Sequence, residues 1–308
     1  MPALPCLFAL ALQVGAPSAQ RPPPEITWRP RVPLEGSLVI LVVRAPDDSL
    51  AAMRGTLAGE PLHFERTAAG FRALGAVPFG GPDSVPAQIV EDRSGGVTDT
   101  VTVSLPVRRR RVPGERLRVA PEFAEPPDSL AARISVERKL LDDVRQRAHE
   151  TPRMWRMSFE RPRPGPITSV FGVPRVLNGT VRSRHYGVDF AGQMGASVRA
   201  ANRGVVALVA DLYYSGTTVI IDHGAGLVTG YFHLSRVLVA QGDTIERGQL
   251  LGRVGASGRV TRSHLHWFGA YGGVTVDPLD LLKLEPNLEW RGHAKNQTRR
   301  RTAVNRIE

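Results

Sequence analysis

Residues 167–284 are rich in Val, Ile and Gly and broken repeatedly by turn dipeptides, and nowhere do they space apolar side chains at the three-to-four interval of a convincing helix. That pattern points to a β-rich domain. Its clearest unit is GTTVIIDHGAGLVTGYFHL, two β-forming runs around a turn at Asp222-His223-Gly224-Ala225-Gly226, which reads as a hairpin. The only cysteine, Cys6, lies in the first twenty residues. A chain processed after that point has no disulfide and no cysteine-ligated zinc, and stands on its hydrophobic core.

Upstream, residues 26–112 carry short β-forming runs: SLVILVVRA, AMRGTLAG, LHFERTAAGFRALGAV and, after Gly95-Gly96, VTDTVTVSLPV. In the last, Val97, Val101, Val103 and Leu105 share one face while Thr98, Thr100, Thr102 and Ser104 take the other, the period of two of a half-buried strand. With turns every ten or so residues, this predicts an antiparallel β-sandwich. RRRRV at residues 108–112 reads as its solvated edge. In residues 113–160, PPDSLAARISVERKLLDDVRQRAHE offers Asp128-Ser129 as a capping position and spaces Leu130, Ile134, Leu141 and Val144 for a connecting helix. RPRPGP cannot continue a helix and opens the second domain, residues 161–285. Residues 286–308, ending HAKNQTRRRTAVNRIE, are polar, basic and aperiodic and read as a disordered tail. The fold class is therefore an all-β two-domain protein with a helical connector.

MPALPCLFALALQVGAPSAQ resembles a secretory signal peptide, residues 1–19 with cleavage near Ala19, although no Arg or Lys precedes its apolar run. The run is too short to span a membrane, so the processed chain is expected outside the cytoplasm without an integral membrane segment. The net charge of +11 is almost all arginine, since Lys139, Lys283 and Lys295 are the only lysines. Arginine in place of lysine throughout is a bias that base composition alone can produce; otherwise the charge suits polyanions such as cell-wall polymers or membranes, and no zinc-finger spacing, RNA-binding sheet signature or basic heptad helix supports nucleic acid.

Three motifs carry chemistry. HLHW places His264 and His266 two apart, so a strand aims both rings at one face, for a metal, for proton transfer or for both. RHYGVDF holds His185 and Asp189. Fully extended they would stand roughly 13 Å apart, so joint ligation requires a bend, for which Gly187 is placed. YFHLS adds His233 among β-formers.

In this order and with this connecting sequence, the three motifs resemble the lysostaphin-type zinc endopeptidases that cut peptide crosslinks in bacterial cell walls, over residues 169–282. FGVPRVLNG and Trp267 resemble a branch carrying a β-rich domain and helix before the catalytic domain. The resemblance implies His185, Asp189 and His266 as zinc ligands, His233 and His264 as the non-ligand histidines, and peptidoglycan peptide stems or crosslinks as the partner. One departure is Arg262-Ser263, where the family usually has Gly-Pro. Two neutral imidazoles and a carboxylate would leave a tetrahedral zinc one open position, as in catalytic sites, and His233 and His264 suit proton transfer and oxyanion stabilisation. Crosslinks of D-alanine with a diamino acid and glycine bridges are both compatible with these motifs.

Three rivals are weaker. Two-histidine-one-carboxylate iron oxygenases commonly place the acid two residues after the histidine, whereas here the gap is four. GDTIERGQLLGRVG resembles the hairpin of biotinyl and lipoyl carriers, but no lysine lies between Lys139 and Lys283 for attachment. A non-catalytic wall-binding or hydrolase-activating member would usually have lost ligands that this chain keeps.

Overall fold

The computed structural model describes residues 24–44, 50–68, 70–93 and 98–289. The segment read as a signal peptide, with Cys6, lies outside the described residues. Among them no helix is long and apolar enough to cross a membrane.

The N-terminal β-rich region is two four-stranded antiparallel sheets, one ordered Glu25–Arg29, Leu38–Arg44, Gly70–Ala76, Glu65–Thr67 and the other Glu60–Pro61, Leu50–Leu57, Ser84–Arg93, Thr98–Pro106. The alternation in Thr98–Pro106 appears as burial: Leu105 is fully buried, Val101 and Val103 partly, and the threonines between them are exposed. Leu38–Arg44 is apolar without alternation because both of its faces are covered. Val39, Leu41 and Val43 point into the sandwich with Leu57, Phe71 and Ile89, while Leu38 and Ile40 join the core of the second region with Phe171 and Trp267.

That second region is built on an eight-stranded sheet with the path Ile167–Ser169, Val188–Ala191, His264–Tyr271, Leu227–Phe232, Gly216–Gly224, Gly204–Leu212, Thr244–Ile245, and Val274–Val276 paired beside it. The expected hairpin forms, with a tighter turn: Asp222, His223 and Gly224 stay in the strand, and Ala225 and Gly226 make the reversal with positive φ.

The connecting helix is Ala131–Arg147. Its start differs from expectation: Asp128–Leu130 is a 3-10 turn, Leu130 takes the capping position, and no side chain caps it. Its C-terminal end packs through Val144 and the capping Ala148 against Leu208, Leu212 and Ile220, and nearer its start Glu137 accepts from Tyr213 N at 2.8 Å. Earlier in the connector, Glu115–Leu117 is extended and pairs parallel with Pro174–Leu177, which itself pairs with Val181–Arg184. An isolated three-residue run carries too little periodicity for sequence to assign it.

Two expectations are corrected. The arginine run is not wholly solvated: Arg110 is largely buried, bonds Asp277 Oδ2 at 2.9 Å and lies over the Phe171 ring, tying the sandwich to the second region. Residues 286–289 are not part of a disordered tail, because Leu288 is 3% exposed in the core and Arg153 donates to Pro286 O at 2.7 Å. One apolar side chain with a cavity to fill overrides a polar context. Residues 290–308 lie outside the described residues.

Candidate metal centre and groove

Strands Val188–Ala191 and His264–Tyr271 pair so that Asp189 stands directly opposite His266. Side chains of opposed residues project to the same face within about 5.5 Å at Cβ, so register alone brings carboxylate and imidazole together. His185 reaches them because the chain bends at Gly187 before the strand begins. A Cβ at Gly187 would stand 2.4 Å from His266 Nε2 and 2.6 Å from Trp267 O, so only glycine passes there.

The three donor atoms meet: His185 Nε2 to Asp189 Oδ1 is 2.9 Å, His266 Nδ1 to Asp189 Oδ1 is 2.8 Å, and the two ring nitrogens are 2.9 Å apart. His185 Nδ1 donates to Val170 O at 2.8 Å, which leaves Nε2 as a bare lone pair. With neutral rings, at most one proton, from His266, is available for three close contacts. Hydrogen bonding cannot satisfy that set, whereas one cation can, so the donors fit a zinc ion. Burial pushes His266 down to about 4 against the opposing hydrogen bond that its ring donates to Asp189, so the ring is neutral at pH 7. Burial favours the protonated Asp189, but the imidazoles of His185 and His266 facing it outweigh this and hold the carboxyl well below the usual range.

His233 and His264 flank this cluster, their ring centroids 5.0 Å apart and His233 5.9 Å from His266. Each commits Nδ1–H to a backbone carbonyl, His233 to Ser257 O at 2.8 Å and His264 to Arg262 O at 2.9 Å. Both therefore offer Nε2 to the groove. At the Arg262-Ser263 departure, Ser263 Oγ donates to Gly192 O at 3.0 Å, a bond that proline could not make, while Arg262 contributes only its backbone carbonyl to His264. His233 sits between two strands at φ 62°, a left-handed conformation costing a non-glycine residue of order 1–3 kcal/mol and concentrated at functional sites. Burial, followed by the neighbouring His266 and His264, pushes its ring down to about 3.

The groove is a cavity of about 150 Å³ with Glu115–Leu117 along one side and Arg259, Val260, Thr261 and Arg262 along another. Arg175 lies within FGVPRVLNG. Its guanidinium bonds Asp189 Oδ2 at 3.0 Å, Ser169 Oγ at 3.0 Å and Glu115 Oε2 at 3.1 Å. It turns Asp189 so that Oδ1 faces the histidines. Nothing in the local sequence around Arg175 or Glu115 marks this, because the partners come from three separate segments.

Residues 183–278 match the model of peptidase family M23. The peptidoglycan DD-endopeptidase ShyA of Vibrio cholerae is 41% identical over 102 residues, 33% of this chain and 24% of that protein. The DD-carboxypeptidase/endopeptidase Mpg of Neisseria meningitidis is 36% identical over 104 residues, 34% of this chain and 24% of that protein. The chain therefore spans about a quarter of the length of these curated relatives. A crystal structure from Pseudomonas aeruginosa, described as a putative peptidase M23, aligns over 81% of this chain and 95% of its own with TM-score 0.62 and 25% identity. That alignment extends well beyond the peptidase domain.

Proposed function

We infer that this chain, whose residues 183–278 form a peptidase family M23 domain, is a zinc-dependent endopeptidase that hydrolyses peptide crosslinks of bacterial peptidoglycan outside the cytoplasm. The observation that carries this reading is the convergence of His185 Nε2, Asp189 Oδ1 and His266 Nδ1 beside two further imidazoles in an open groove. These three atoms would hold the zinc, with Arg175 and Val170 O fixing the orientation of Asp189 and His185. A zinc ion held there supplies Lewis acidity, polarising a peptide carbonyl and lowering the pKa of water to about 7.

The chain's own residues handle protons. His264 and His233, with Nδ1–H committed, present Nε2 as acceptors for the proton of an attacking water. A ring that has taken that proton can hydrogen-bond the developing oxyanion or pass the proton to the departing amine. Between the Glu115–Leu117 side and the Arg259–Arg262 side, an extended peptide can lie across the site with its carbonyl toward the cluster. The names of ShyA and Mpg support a crosslink substrate.

The test is mass spectrometry of purified muropeptides after digestion with the metal-loaded chain. Crosslinked dimers should convert to monomers with a gain of one water. Full zinc occupancy without conversion of any muropeptide would favour a wall-binding or activating role for the same fold.

A further inference from the structure

Three arginines line the cavity beside the candidate ligands; Arg262 is exposed, and the two partly buried ones, Arg175 and Arg259, are in opposite situations. Arg175 is neutralised by Asp189 at 3.0 Å and Glu115 at 3.1 Å. Arg259 has no such partner. Its guanidinium lies over the Tyr214 ring, 4.6 Å from the centroid, its backbone N–H donates to Tyr214 O at 2.9 Å, and among the described residues no carboxylate pairs with it. The side chain is half-buried. Burial lowers its pKa from the ordinary arginine value, Tyr214 opposes this, and the nearby Arg175 lowers it further.

A desolvated cation is retained only where something compensates it. An aromatic face offsets part of that cost and also fixes the plane of the guanidinium, leaving its donor edge for a planar anion. The same groove, on the reading above, receives a peptide. The neighbouring contact of Arg175 with Asp189 shows the ligand chemistry that suits such a group, a carboxylate.

We propose that Arg259 binds a carboxylate of the substrate, and that this contact selects crosslinks bearing a free carboxylate beside the scissile bond over uncharged bridges. The selection rests on the peptidase reading, whereas the binding contact can be measured without turnover. Arg259 acts on specificity and is placed apart from the proton-transfer histidines.

The experiment uses two peptides with D-alanine joined to the side-chain amine of a diamino acid, the adjacent α-carboxyl free in one and amidated in the other. Binding by calorimetry and hydrolysis by chromatography are measured on the full zinc-loaded chain. The parent should bind and hydrolyse the free acid about tenfold or more better, the scale of one charge-assisted hydrogen bond. In Arg259→Gln that ratio should fall to about one. Arg259→Lys, which keeps a point charge without the planar fork, should retain an intermediate ratio and guards against a folding defect in the glutamine variant.

A parent with no preference, or a preference that survives in Arg259→Gln, overturns the proposal. Equal hydrolysis of both peptides with equal binding would do so while leaving the peptidase reading intact. Binding of the free acid through Arg259 with hydrolysis of neither peptide or any muropeptide would sink the peptidase reading and uphold the contact.

Discussion

Inside the sandwich, Val39, Leu41, Val43, Phe71 and Ile89 meet one another, and buried acids are answered by neighbours: Glu35 accepts from Gly80 N and Arg110 N, and Glu91 Oε2 from Arg93. In the second region, strand register and the bend at Gly187 deliver His185, Asp189 and His266 to one spot, where three close contacts compete for one proton. Both regions bury polar groups. The first gives each carboxylate partners of its own, with Glu91 Oε1 alone of the four oxygens left bare, so they specify a fold. The second leaves them mutually under-satisfied, which is costly unless a ligand completes the set.

The sharpest way to break this comparison is to remove a ligand. His266→Ala should lose most of the zinc and essentially all hydrolysis together, checked by elemental analysis and muropeptide digestion at unchanged circular dichroism. Full stoichiometric zinc in that variant would mean the set is wrongly assigned. Next in size are the flanking rings. His264→Ala and His233→Ala should keep zinc and lose at least about a hundredfold in turnover, the lower end for a positioned acid or base. Parent rates in His264→Ala would make its place beside His266 a structural accident.

These residues were legible in the sequence for different reasons. HLHW declares its shared face through the strand period, and the RHYGVDF, YFHLS and HLHW order supplied the rest through resemblance. The opposition of Asp189 to His266 was not legible, because strand register is set by long-range pairing. Arg175, Glu115 and Arg259 escaped for the same reason: each matters through a partner 14 to 60 residues away or through a ring on another loop. The tail reading failed at Leu288, where one buried contact outweighed composition.

The junction between the regions gives a smaller effect that should fall on stability alone. Arg110→Ala leaves Asp277 buried, 9% exposed, without its cation, and removing one partner of such a pair typically costs about 3–5 kcal/mol. Urea unfolding should shift accordingly, with zinc stoichiometry and turnover of the folded fraction unchanged at 25 °C. A fall in turnover at intact fold would show that the sandwich shapes the groove as well as supporting it.

The smallest effect separates a satisfied buried histidine from the under-satisfied ones within the same sheet. His223 is fully buried, with Nδ1 donating to Arg203 O at 2.7 Å and Nε2 2.8 Å from Thr229 Oγ1. Burial pushes its pKa down to about 4, partly opposed by the Arg203 bond, against about 6.5 in the unfolded chain. Between those values the unfolded chain takes up a proton that the folded chain refuses. Stability is therefore complete above about pH 6.5 and declines as pH falls toward 4, by of order 3 kcal/mol for this one group. His266 and His233 tilt the same way in the metal-free chain, so the measurement is a difference. Chelator-treated parent and His223→Gln are unfolded in urea from pH 7 to 4, and the variant's slope should be shallower by close to one proton, about 1.4 kcal/mol per pH unit. Identical slopes would mean that His223 can charge inside the fold, and that burial with local partners does not by itself mark a residue as structural.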